Sequence, residues 1–154
     1  MYDLDILIPQ KPPMRMIDKC LDFNNNIIHC QAKITSDHLF FCDKRKSVPH
    51  WIAVEIMAQT SATFAKLDAL EKQSSINKEP QVAFLMSIRQ YKTEVLEYLE
   101  NESLDIYSES LLIEDGVGVF KAKIEVNGKV TASITISAYQ PRDNAEVAKI
   151  LTRD

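Results

Sequence analysis

An acid and an amide four positions apart interrupt an otherwise apolar run, Pro49-His50-Trp51-Ile52-Ala53-Val54-Glu55-Ile56-Met57-Ala58-Gln59. Residues at i and i+4 share a helical face, so a helix here brings Glu55 and Gln59 together. A carboxylate on a largely buried helix is costly unless it is paired or takes part in chemistry. A carboxyl in that setting can exchange a proton with a bound hydroxyl. Its plainer role is to complement the positive end of the helix. Gln59 reads as a structural hydrogen-bond partner rather than a catalyst. The remaining titratable candidates nearby are His50 at the helix entrance, His38 ahead of Phe40-Phe41, and Asp43. His29 falls on the outward side of a period-2 segment and reads as a surface residue.

These residues need a scaffold. The helix is expected over about Trp51 to Lys72. Trp51, Val54, Met57, Ala58, Ser61, Ala62 and Ala65 form a mostly small stripe, which lets other backbone approach and suits a helix wrapped by a sheet. Ahead of it, Asp3 to Pro13 reads as a helical turn stopped by prolines. Arg15 to Phe23 reads as a strand with Ile17, Leu21 and Phe23 on one face. Asn24-Asn25-Asn26 signals a turn, and Ile28, Cys30, Ala32 and Ile34 alternate with polar residues as in a half-buried strand. A loop from Ser36 to Val48 carries the basic run Lys44-Arg45-Lys46.

After the helix, Gln73 to Pro80 reads as a polar, flexible loop. Four more strands are expected: Val82 to Arg89, covered on both faces, Leu104 to Ile113, Val117 to Val126, and Val130 to Tyr139. The last two form a hairpin. A two-residue turn at Asn127-Gly128 would set Val126 against Lys129 and mismatch the apolar faces. A three-residue loop, with Glu125 opposite Lys129, Ala122 opposite Ala132 and Phe120 opposite Ile134, repairs this, with Gly128 left-handed. The tail from Pro141 is polar and expected to be loosely attached. The economical solution is one α+β domain over 1–154, core about 8–140 and tail 141–154: an antiparallel curled sheet of about six strands around one long central helix. Such a sheet leaves edges and faces uncovered, so a dimer is expected.

Composition narrows the function classes. A hydrophobic fraction of 45% and a charged fraction of 26% are those of an ordinary globular chain. The net charge of −4 gives no general case for nucleic acid. No apolar run is long enough to span a bilayer, and the start lacks a signal-peptide pattern, so the cytoplasm is the expected compartment. The three cysteines, Cys20, Cys30 and Cys42, have no zinc spacing and read as reduced thiols; no metal is expected. With glycine only at 116, 118 and 128, no phosphate-binding glycine loop can be built.

Three stretches carry a family resemblance: Ile8-Pro9-Gln10-Lys11-Pro12-Pro13-Met14-Arg15-Met16-Ile17-Asp18-Lys19, the Val54-Glu55-Ile56-Met57-Ala58-Gln59 helix, and Phe84 to Lys92. Together they resemble the hotdog-fold 3-hydroxyacyl-[acyl-carrier-protein] dehydratases of the FabZ kind. The Val-Pro-x-Trp ahead of the helix motif is similar to the ApeP branch, associated with aryl polyene lipids. One feature departs: the His-Phe-Pro-Gly loop that holds the catalytic histidine in FabZ-type enzymes is absent here, and Gln10 replaces an opening histidine.

The resemblance implies dehydration of a thioester, which needs a base for the proton next to the carbonyl, an acid for the departing β-hydroxyl, and donors for the thioester oxygen. Glu55 would serve the hydroxyl, and helix-start N–H groups the carbonyl. His50 is the first choice for the base, with His38 as the alternative. The family implies a site shared between subunits and no cofactor beyond the phosphopantetheine arm of the carrier protein. Lys44, Arg45 and Lys46 would dock the acidic carrier, or form a solvated loop. Gln59, Trp51, Phe40, Phe41 and Met57 would line the acyl site, or belong to ordinary core. Partners would be the acyl carrier protein and a second subunit, as a homodimer, a higher homo-oligomer or a hetero-oligomer with another dehydratase. Two alternatives stay open: a non-catalytic hotdog subunit pairing with an active dehydratase, and a hotdog thioesterase.

Overall fold

The computed structural model describes residues 2–72 and 82–152, so the expected loop Gln73 to Pro80 lies outside the described residues. The order is α1 (Leu4–Leu7), β1 (Lys19–Phe23), β2 (Ile27–Lys33), β3 (Ser47–Pro49), α2 (Ile52–Glu71), β4 (Phe84–Thr93), β5 (Glu97–Leu99), β6 (Ser103–Glu114), β7 (Val117–Val126), β8 (Lys129–Tyr139) and α3 (Asn144–Leu151). Six strands form one antiparallel sheet in the order β1-β2-β6-β7-β8-β4, and β3 pairs with β5 in a small second sheet. This is the expected α+β hotdog arrangement, with α2 packed on β2, β6, β7 and β8.

The inward alternation of β2 is as read: Ile28, Cys30 and Ala32 are buried, as is Ile34 just beyond the strand. They meet α2 through Ile52, Ile56, Met57, Phe64 and Leu67. Phe64 is the aromatic hub, edge-on to Phe23 at 5.1 Å and to Phe120 at 5.9 Å. Hydroxyls buried on α2 are satisfied locally: Thr60, Ser61 and Thr63 each donate to the carbonyl four residues back. Ser61 also meets Ser108 at 2.7 Å, tying α2 to β6.

Several local expectations are corrected. Leu21 is exposed while Cys20 and Phe23 are buried, because a bulge between Cys20 and Asp22 shifts the phase of β1. The β7–β8 turn is the two-residue one, with Val126 opposite Lys129. Asn127 (φ 52°) and Gly128 (φ 77°) supply the left-handed pair that a type I′ turn requires. The mismatch of faces is repaired further along, where Glu125 pairs with Val130 and Ile124 with Ala132, leaving Thr131 as the extra residue. Ala122 then faces Ile134 and Phe120 faces Ile136, all buried.

Strands β3 and β5, neither of them among the expected strands, are held by each other. Their core is Tyr98, fully buried, with its hydroxyl 3.0 Å from that of Thr131. Burial pushes the Tyr98 phenol up to about 12. The tail is not shapeless: Asp143 caps α3 through the Glu146 N–H, and Glu146 accepts from the Tyr139 hydroxyl. Strand β4 is covered on neither face along much of its length; Leu85, Met86 and Ile88 are exposed.

Candidate active site

Glu55 lies in the first turn of α2. Its carboxylate accepts from Gln59 Nε2 at 2.7 Å, confirming the i, i+4 pairing. Gln59 itself is buried and fully engaged: Nε2 also donates to the Met14 carbonyl at 2.9 Å, and Oε1 accepts from the Met16 N–H at 2.8 Å. The amide thus fastens the opening segment to α2 and presents one N–H to Glu55.

Glu55 stands in the wall of a cleft of ≈ 270 Å³. The helix side of the cleft is Glu55, Ala58, Ala62, Ala65 and Ala69, and the sheet side includes Gly118, Phe120, Ile136 and Ala138. At 1.5 Å rise per residue, the helix wall from 55 to 69 is roughly 21 Å long. Gln10 also lines the cleft, and its Oε1 is buried with no partner among the described residues. The small-residue stripe therefore does something other than admit close backbone. At Ala58, Ala62 and Ala65 the short side chains leave space.

The other expected substrate contacts lie elsewhere. Met57 is in the core and Phe41 packs against it. Trp51 and Phe40 are 50% and 42% exposed and meet edge-on at 5.0 Å. In the basic run, Arg45 Nε is 3.4 Å from Glu97 Oε2, while Lys44 and Lys46 are exposed. Asp43 is exposed as well. Two of the first N–H groups of α2 are taken: Ala53 and Val54 donate to the His50 and Trp51 carbonyls at 3.0 and 3.2 Å.

The three histidines differ. His29 sits outward on β2, stacked on Tyr107 at 4.4 Å and 2.8 Å from Asp105 Oδ1. His38 accepts from the Phe40 N–H at Nδ1 (3.2 Å), and its Nε2 is buried with no partner among the described residues. Burial holds His38 below the usual imidazole range. His50 Nδ1 is 2.9 Å from the Tyr91 hydroxyl, a residue sequence reasoning did not single out. Burial raises the Tyr91 phenol, which keeps it protonated. No bond joins His38 or His50 to Glu55 within the described residues of one chain.

A carboxyl in the wall of an apolar cleft on the central helix of a hotdog sheet is the arrangement against which relatives can be compared. The ApeP-like family, described as ApeP dehydratase, matches residues 2–149. The chain belongs to the ApeP-like dehydratase family. Among solved structures, the dehydratase heterocomplex ApeI:P from Xenorhabdus doucetiae is 22% identical with a TM-score of 0.87, covering 99% of both chains. Cj0977 from Campylobacter jejuni, a sigma28-regulated virulence protein, is 12% identical with a TM-score of 0.64, over 92% of this chain and 98% of that one. A hypothetical thioesterase protein from Streptococcus pneumoniae, solved with coenzyme A, is 10% identical with a TM-score of 0.54, over 80% of this chain and 86% of that one. These likenesses show the fold. No curated protein matches the sequence. No helix among the described residues is long and apolar enough to cross a membrane.

Proposed function

We propose that this ApeP-like protein dehydrates 3-hydroxyacyl groups carried on an acyl carrier protein, in fatty-acid or aryl-polyene type lipid synthesis. The observation that carries the reading is Glu55, held by Gln59 at 2.7 Å, at one end of the apolar cleft. The acyl chain lies along Ala58, Ala62 and Ala65, and the carrier's phosphopantetheine arm enters past the exposed Phe40–Trp51 pair. Lys44, Arg45 and Lys46 receive the acidic carrier, with Lys44 and Lys46 free of the Glu97 contact. A base, His50 first and His38 second, takes the proton next to the thioester carbonyl. The electron pair of that C–H bond becomes the new double bond. The β-hydroxyl leaves as water with a proton from Glu55, and the base then returns its proton to the carboxylate. The thioester oxygen draws its donors from N–H groups at the start of α2 other than those of Ala53 and Val54, which donate to carbonyls of the same chain.

Base and acid meet across a subunit interface in this reading. The exposed Leu85, Met86 and Ile88 on the edge strand β4 support assembly there, since an open apolar edge is a template for pairing. The partner is a second copy or a second dehydratase, as in the heterocomplex of the Xenorhabdus relative. The lack of a His-Phe-Pro-Gly loop ahead of the helix, where Phe40-Phe41 runs into Cys42-Asp43-Lys44, favours a second reading, a subunit that supplies binding surface to an active partner. One assay separates the readings: the purified chain, alone and with candidate partner dehydratases, on a 3-hydroxyacyl carrier protein. Formation of the 2-enoyl product is expected, and Glu55→Gln should fold normally and lose most of it. Free acid would indicate a thioesterase, and product that forms only with an active partner and survives Glu55→Gln would indicate the binding subunit. A monomer mass by light scattering at micromolar concentration would count against the shared site.

A further inference from the structure

Tyr91 reaches His50 because of a break in β4. Arg89 pairs with Thr135 and Lys92 with Ser133, so Gln90 and Tyr91 together oppose a single residue of β8. Gln90 absorbs the strain at φ 53°. The Tyr91 ring is turned to the start of α2, where it lies parallel to the His50 imidazole, 6.0 Å between centroids and 12° between planes. Its hydroxyl is 2.9 Å from His50 Nδ1 and 3.1 Å from the His50 carbonyl oxygen.

The tautomer of His50 follows from counting protons. A phenol has one hydrogen to give. If it went to Nδ1, two oxygens bearing lone pairs would face each other at 3.1 Å with no proton between them. If Nδ1 carries a hydrogen, both contacts become hydrogen bonds, Nδ1–H to the phenol oxygen and the phenol O–H to the carbonyl. The Thr93 hydroxyl, which donates to the Val95 carbonyl at 2.7 Å and also lies beside the Tyr91 phenol, does not change this count, because the phenol still has one hydrogen to give and lone pairs to spare. We infer that Tyr91 is a positioning residue that locks His50 as the Nδ1–H tautomer and leaves the Nε2 lone pair free to accept a proton. The state of one ring nitrogen is set by what the other is bonded to. The catalytic meaning of this lock rests on the reading of His50 as the base.

His38 shows the opposite state. Its Nδ1 accepts from a backbone N–H, which places the hydrogen of the neutral ring on Nε2. His38 presents a donor where His50 presents an acceptor. Of the two, only His50 is ready to remove a proton from carbon.

The test is a nitrogen-15 NMR spectrum of the imidazole rings in the full chain, with its partner subunit where the active form is a complex. At a pH where both rings are neutral, wild-type His50 should show pyrrole-type Nδ1 and pyridine-type Nε2, and His38 the reverse. Tyr91→Phe keeps the ring but removes the hydroxyl; it should release His50 toward the Nε2–H form and leave His38 unchanged. In the enoyl-forming assay the same variant should lower kcat about tenfold or more with KM within about twofold, as for a weakened base. A wild-type His50 with hydrogen on Nε2, or an unchanged tautomer in Tyr91→Phe, overturns the inference; the wild-type spectrum decides even where the variant fails to fold. The tautomer present as inferred with His50→Ala fully active would instead leave the lock standing and remove His50 as the base.

Discussion

On one side of α2, Ile56, Thr60, Phe64 and Leu67 are buried against β2 and β6; on the other, Ala58, Ala62, Ala65 and Ala69 face a cleft. The sheet repeats the difference at its two edges. Strand β1 is bridged by Tyr2 at Cys20 and shows Lys19 and Asp22 to solvent, with Leu21 its one exposed apolar side chain. Strand β4 shows Leu85, Met86 and Ile88. One half of the molecule is finished by its own residues. The other is left with apolar surface that only a bound chain or a second subunit removes from water. Stability should therefore be concentrated on the closed side, and function should tolerate little change on the open one.

The largest effect expected from this contrast is at the aromatic hub. Phe64 is 1% exposed and touches both Phe23 and Phe120 edge-on. Phe64→Ala should destabilise by about 3–5 kcal/mol through lost burial and the cavity left behind. Urea unfolding at equilibrium, monitored by circular dichroism, checks it. A loss below about 1 kcal/mol would mean that the closed side is not the stability core.

Gly118 joins the two sides. Its backbone is not left-handed, so the constraint is contact: a Cβ there would stand 2.5 Å from Phe120 Cε2. The Phe120 ring packs on Phe64 behind and lines the cleft in front. Gly118→Ala must move that ring, and overpacking of this kind costs about 1–3 kcal/mol. The same displacement changes the cleft, so binding of a long acyl chain should weaken along with stability. Thermal unfolding and acyl-chain titration on the same sample would show whether the two losses travel together. If stability falls while binding is untouched, Phe120 is not a shared wall.

The sequence made much of this visible because the strongest signals are periodic. The apolar alternation of β2, β6, β7 and β8 and the long helix were legible, and Glu55 and Gln59 were paired by spacing alone. Strands β3 and β5 are too short for a periodic signal; each exists because the other, about fifty residues away, pairs with it. Helix α3 has no buried residue, and a helix of eight residues is too short to stand out in a polar tail by its sequence pattern. Bulges hid most of the rest. Those at Cys20–Asp22, Thr131 and Gln90–Tyr91 each reverse which side chains face inward, and nothing local in the sequence marks them. The His50–Tyr91 contact depends on one of them. The small stripe of α2 was read as suited to a helix wrapped by a sheet, as it is at Ser61, but the cleft along Ala58, Ala62 and Ala65 was not foreseen, because only the position of β8 and β4 tells packed from empty.

That last distinction gives the smallest expected change in stability. Ala62 lines the cleft and is neither strained nor fully buried. Leucine is nearly as good a helix former as alanine, so Ala62→Leu should alter folding stability by no more than about 0.5 kcal/mol. The added side chain projects into the cleft two turns along the helix from Glu55. Turnover of a short 3-hydroxyacyl thioester should persist, while that of a chain long enough to pass Ala62 should fall steeply. The comparison is a ratio of kcat/KM values for short and long substrates in wild type and variant, which cancels any general loss of active protein. Equal effects on both would place the acyl chain outside the cleft. A marked loss of stability would mean that this face is packed after all, and the contrast between the two sides of α2 would fail at its centre.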